Sequence, residues 1–189
     1  MSTADAVTGY RQHRFRPPPG ATDMLLIRHG ESAPARPDEP APLLDGQSDP
    51  DLDPHGRQEA RLVADRLRGE EVAAIYTSTL RRTAQTAEPL AAQSGLTPRA
   101  DADLREVFLG QWEGATFRKR IAEHDPVALR CFAEQRWDPI PGSEPFAFIA
   151  ADNASLTHVV VTGERWIVRR FNDTGHLRTD LDRPVAPLT

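Results

Sequence analysis

Apolar and polar positions alternate along this chain in blocks that read as strands and helices in turn. The run Leu25-Leu26-Ile27 stops abruptly at Arg28-His29-Gly30-Glu31. A short continuous apolar run is the pattern of a buried strand, which places a first strand at Asp23 to Arg28. From His55 to Arg68 the small and apolar residues Ala60, Val63, Ala64 and Leu67 fall at the spacing of an amphipathic helix, stopped by Gly69. Val72 to Thr77 predicts a second strand, and Ser78 and Thr79 offer hydroxyl caps to a helix running through Leu90 and Ala91 to Gly95. Strand, helix, strand, helix in that order predicts parallel pairing with right-handed crossovers. A helical region follows from about Phe117 to Gln135, interrupted near Asp125-Pro126. Leu156 to Val161 and Arg165 to Phe171 flank Thr162-Gly163-Glu164 and predict a β-hairpin. Residues 1–22 read as a flexible arm, 23–177 as one domain and 178–189 as a loose tail.

Composition narrows the function classes. The chain has 189 residues, 39% hydrophobic and 27% charged, enough for one domain with a real core. A net charge of −5 and a pI of about 5.7, with both signs interspersed, argue against nucleic acid as a partner. No apolar run approaches the roughly 18 residues of a membrane span, and Arg-rich, Pro-rich residues stand where a signal peptide would carry its apolar core. The expectation is a cytoplasmic protein with no membrane partner. Lys119 is the only lysine, so any anion site must be a local cluster of arginines. Cys131 is unpaired and reads as a small buried apolar residue. Six prolines and five aspartates between residues 33 and 54 describe a loop crossing the surface.

The candidate chemistry begins where the first strand ends. Open α/β sheets place their ligands just past the carboxyl ends of strands. There Arg28 can grip a phosphate with its planar fork, His29 can accept a phosphoryl group, and Gly30 lets backbone approach closely. Two further segments complete a pattern: Tyr-Thr-Ser-Thr-Leu-Arg-Arg-Thr-Ala-Gln-Thr-Ala at 76–87 and Leu-Arg-Glu-Val-Phe-Leu-Gly-Gln-Trp-Glu-Gly at 104–114. In that order and spacing the three segments resemble the histidine phosphatase superfamily, whose fold is phosphoglycerate-mutase-like. The likeness runs from Met24 to Leu177, and Leu-Asp-Pro-His-Gly-Arg-Gln-Glu-Ala at 52–60 resembles the family's next helix start.

The resemblance implies a three-layer α/β/α fold with a mostly parallel sheet and a C-terminal β-hairpin. It implies that His29 is the nucleophile and that Glu106 is the general acid, later activating water. It also implies that Arg28, Gly30 and Arg82 bind the substrate phosphate. Arg82 is preferred to Arg81 because it occupies the family's Ser-x-Leu-x-Arg position, and a first helical turn already favours an anion. Two guanidiniums can neutralise the transferring group, so no metal and no cofactor are expected. Arg81 reads as a surface or supporting cation, His55 as part of a helix start, His124 and His158 as surface residues, and His176 as structural.

One departure stands out. The family carries a second catalytic histidine at the end of a further apolar strand, after a Gly-x-Glu segment. Ile140-Pro141-Gly142-Ser143-Glu144 resembles the approach, but Pro145 to Ile149 already resembles the stretch before the terminal hairpin. One central strand, its flanking helices and that histidine are therefore expected to be missing. The expected function is a metal-independent phosphomonoester hydrolase working through phosphohistidine on a small phosphorylated metabolite. The alternative is an impaired relative that binds phosphorylated ligands or a protein partner, with homodimerisation as one way to cover the gap. A phosphoglycerate mutase is disfavoured, because Ser32-Ala33-Pro34-Ala35 lacks the Trp-Asn pair that follows the first motif in mutases.

Overall fold

The computed structural model describes residues 15–36, 39, 42–114, 116–144, 151–163 and 165–180. The Glu144–Pro145 junction, the initial arm through residue 14 and the last nine residues lie outside them. Strand β1 (Thr22–Ile27) is followed by two short strands, β2 (Leu43–Leu44) and β3 (Gln47–Ser48), that pair with each other in the proline-rich loop. Helix α1 (Pro54–Arg66) comes next, then β4 (Tyr76–Thr77), helix α2 (Arg81–Ser94) and β5 (Arg99–Ala100). Helices α3 (Thr116–Ala122) and α4 (Pro126–Glu134) precede the hairpin of β6 (Leu156–Thr162) and β7 (Arg165–Asp173).

The chain is α/β, but its sheet pairing differs from expectation. The three-stranded sheet has the order β1-β6-β7 and is antiparallel throughout, with Leu25 opposite His158 and Val160 opposite Ile167. Parallel pairing is confined to β4 and β5, two residues each. The expected strand at Val72 to Thr77 is regular only at its last two residues. The tight hairpin turn sets the antiparallel β6–β7 pair, and β6 in turn pairs antiparallel with β1.

Helices cover one face of this sheet. Leu25, Ile27 and Leu156 point into a core with Val63, Ala64 and Leu67 of α1 and Leu90 of α2. On the opposite face Leu26, Trp166 and Val168 are exposed, and no described helix forms a second layer against them. A second core joins Trp112, Ala128, Cys131 and Ile140 beneath α3 and α4, where Phe117 packs between Trp112 and Trp137. Cys131 is fully buried, as its apolar neighbours suggest.

The helix ends are built from local and distant groups. Asp53 caps α1, its Oδ1 accepting from Gly56 N at 2.7 Å, and Pro54 fills the first position where no donor is required. Asp53→Ala is expected to cost about 1 kcal/mol of stability in urea denaturation. Ser78 and Thr79 do not cap α2. Leu80 is the cap residue, and Asp49 Oδ1 accepts from Arg81 N at 2.7 Å, so a carboxylate 32 residues away satisfies the helix start. Ser78 Oγ instead accepts from Leu80 N at 3.3 Å. At its other end α2 stops on Gly95, whose φ of 71° is the left-handed conformation a helix terminus uses.

Candidate active site

The site is assembled at the end of β1, where Arg28, His29 and Gly30 leave the sheet. Ala154 N donates to His29 O at 3.1 Å and Arg28 N to Ser155 O at 3.2 Å, so the hairpin fixes the backbone at the turn. His29 Nδ1 lies 2.7 Å from Gly30 O. A carbonyl only accepts, so the ring proton sits on Nδ1 and the lone pair on Nε2. Burial, opposed by the Gly30 carbonyl and helped by the positive charges of Arg82, Arg28 and Arg118, lowers the His29 pKa from 6.5 to about 4. The imidazole is therefore neutral at pH 7. NMR titration of its Cε1 proton is expected to show a midpoint near 4; a midpoint at the unperturbed value of about 6.5 would contradict the burial argument.

Close backbone contact explains the glycine. A Cβ on Gly30 would lie 2.5 Å from Gly56 O, and one on Gly56 would lie 2.0 Å from Glu31 O. The turn carrying His29 thus rests directly on the first turn of α1, at a spacing no side chain permits. Glu59, one turn further, accepts from Glu31 N through Oε2 at 2.7 Å. Burial raises the Glu59 pKa, and that amide bond and His55 oppose the shift.

Arg82 occupies the second position of α2 and is buried. Its Nη1 donates to Ser48 O at 2.7 Å. Burial lowers its pKa, while the carboxylates of Glu106, Asp49 and Glu113 favour its charge. Thr86, one turn on, accepts from Gly30 N at 3.1 Å and donates to Arg82 O at 2.8 Å. That hydroxyl joins Arg82 and the His29 turn through one atom.

Glu106 enters from the irregular segment before α3. Its carbonyl accepts from Gln47 Nε2 at 2.7 Å, while the residue itself is exposed. Burial, which could have been expected to keep a general acid protonated, is therefore not available here. Glu113 holds this segment to β3: its Oε2 accepts from Ser48 N and Ser48 Oγ at 2.7 and 2.6 Å, and its Oε1 from Leu109 N at 2.8 Å. Arg105 adds a tie to Thr79 Oγ1 at 2.5 Å. Arg28 acts on His29 electrostatically and donates through Nη1 to Ala151 O.

Arg28, His29, Gly30, Arg82 and Glu106 are thus linked in one region. Arg81 supports it from outside, binding Asp49 and Asp51. Thr86, Glu113 and Arg118 were not singled out by the sequence. Thr86 could have been, because it lies four residues after Arg82 on the same helical face. Nothing local marks Arg118, whose contacts are 85 and 86 residues away. Among the described residues Glu31, Asp53 and His55 have ligand atoms within 4.8 Å of one another. Asp53 is the cap of α1 and Glu31 Oε2 is bonded to His55 Nδ1 at 3.0 Å, so structural contacts account for that grouping.

Comparison with known proteins agrees with this geometry. Residues 24–151 match the family model of the histidine phosphatase superfamily, branch 1. Phosphoglycerate mutase-like protein 4 of Arabidopsis thaliana is 34% identical over 123 residues, covering 64% of this chain and 51% of that protein. Glucosyl-3-phosphoglycerate phosphatase of Mycolicibacterium vanbaalenii is 32% identical over 139 residues, covering 74% of this chain and 60% of that protein. The chain thus spans between half and two thirds of the length of these relatives. The solved structure of a mycobacterial glucosyl-3-phosphoglycerate phosphatase superposes with a TM-score of 0.62 at 22% identity, over 82% of this chain and 100% of that one, which shows a shared fold. With motif, fold and family model in agreement, this chain belongs to the histidine phosphatase superfamily.

Proposed function

We propose that the protein is a phosphomonoester hydrolase that passes through a phosphohistidine. The observation that carries this reading is the neutral His29, with its Nε2 lone pair free of the Gly30 contact and beside Arg28 and Arg82. Nε2 attacks phosphorus in line with the ester oxygen, the P–O ester bond breaks, and the leaving oxygen takes a proton from Glu106. Water then attacks the phosphohistidine, giving its proton to the Glu106 carboxylate, and inorganic phosphate leaves with His29 restored. The guanidiniums neutralise the equatorial oxygens, which is the main demand of phosphoryl transfer.

The glucosyl-3-phosphoglycerate phosphatase relatives support a small phosphorylated metabolite as substrate. The test is an alkaline denaturing quench after mixing with p-nitrophenyl phosphate, followed by peptide mapping at alkaline pH. Acid-labile phosphate on His29 is expected, and its absence during turnover would exclude the mechanism.

One observation favours a second reading, a slow enzyme or a phosphate binder. Among the described residues His55 is engaged with Glu31, His158 with Asp23, and His176 with the Ala154 carbonyl. None of them is among the charges acting on His29. A missing preorganised donor commonly costs about a hundredfold or more in rate. Saturable phosphate binding with no covalent intermediate would select this reading.

A further inference from the structure

We propose that Arg118, on α3, is a third anion-binding guanidinium of this site and grips the substrate phosphate together with Arg28 and Arg82. The inference extends the phosphoryl-transfer reading to a residue outside the three motifs.

Three observations lead to it. First, Arg118 is held over the nucleophile turn, donating through Nη2 to Ser32 Oγ at 2.6 Å and through Nη1 to Ala33 O at 2.9 Å. Its charge is felt by His29 and by Arg82, and it feels Arg28, so the three guanidiniums share one electrostatic neighbourhood.

Second, among the described residues Arg118 lacks the ion pair that the protein gives Arg66 and Arg105. Arg66 is paired with Asp173 at 2.6 Å and Arg105 with Asp45 at 2.7 Å. Arg118 has no ion pair among the described residues. Its two hydrogen-bond partners are a hydroxyl and a carbonyl; the residue is exposed, and partial desolvation lowers its pKa. The carboxylate that attracts it, Glu31, is bonded instead to His55. A guanidinium with no ion pair, sharing its surroundings with Arg28 and Arg82, is suited to meet a multiply charged anion.

Third, Arg118 lines a cleft of about 250 Å³ with Ala33, Pro34, Pro42, Ser48 and Pro50, and Ser48 is the residue whose carbonyl holds Arg82. The acids that border this cleft are already satisfied, Glu39 by Arg36 and Asp51 by Arg81 and Gln85. A guanidinium carries five donors in a fork, so with two engaged, three remain to meet phosphate oxygens at the mouth of the cleft.

The experiment is calorimetric titration of the full chain with inorganic phosphate, for wild type, Arg118→Gln and Arg118→Lys, with a thermal melt of each. A charge-assisted contact predicts a Kd about ten- to a hundredfold weaker in Arg118→Gln, a smaller loss in Arg118→Lys, and melting temperatures unchanged within a few degrees. A side chain that merely tethers Ser32 and Ala33 would be replaced by the amide donors of glutamine. Wild-type affinity in Arg118→Gln therefore overturns the proposal, as do equal losses in both variants accompanied by a lowered melt. Phosphate binding that depends on Arg118 with no acid-labile phosphate on His29 would leave the anion seat intact and remove the hydrolase reading. No phosphate binding by wild type would overturn both.

Discussion

His29→Ala is expected to lower turnover of p-nitrophenyl phosphate by at least about four orders of magnitude, the scale on which loss of a nucleophile is felt. Phosphate affinity should change little or improve, because the imidazole is neutral and the arginines remain. The same variant should yield no acid-labile phosphoenzyme. Stopped assays with purified wild type and variant, alongside phosphate titration, check all three results. Retention of more than about a tenth of the wild-type rate would remove His29 from the chemistry. Parallel loss of phosphate binding and thermal stability would instead make the imidazole a structural group.

The second large effect concerns Gly56. Glycine to alanine inside a helix ordinarily stabilises by up to about 1 kcal/mol. Here the opposite sign is expected, because the added Cβ would meet Glu31 O at 2.0 Å and Glu31 N at 2.6 Å. Both atoms are backbone, anchored by Asp53 N donating to Glu31 O at 3.1 Å and Glu31 N donating to Glu59. Neither can swing away as a flexible side chain would. Gly56→Ala should therefore destabilise by about 3 kcal/mol, the cost of severe overpacking. In a chain of this length that corresponds to a fall of roughly ten degrees in Tm. Activity should fall with it, since the displaced segment carries His29, the proposed nucleophile. A calorimetric scan showing an unchanged or higher Tm would show that the two turns are not locked together.

Much of this architecture is legible in the residues. The helix over α1, the Gly95 terminus, the break at Asp125-Pro126 and the hairpin all follow from local periodicity and turn chemistry. The motifs name His29, Arg82 and Glu106 together, and the structure links them through Arg82, whose charge Glu106 favours and His29 feels. What local reasoning misses is decided at long range. Ser78 is a good cap by type, yet Asp49 satisfies the helix start from the proline-rich loop. Parallel pairing is a fair expectation from element order, yet β6 takes the edge of β1 because its own hairpin partner comes next in sequence. Arg118 is one arginine among many until α3 turns it toward Ser32.

The Thr86 hydroxyl deserves a last consequence. It receives a proton from the amide of Gly30 and lends its own to the carbonyl of Arg82. Heating that frays this helix would therefore detach the histidine's turn at the same moment as it loosens the arginine. Inactivation and loss of helical circular dichroism should follow a single curve, with no temperature at which a folded but merely disarmed enzyme accumulates.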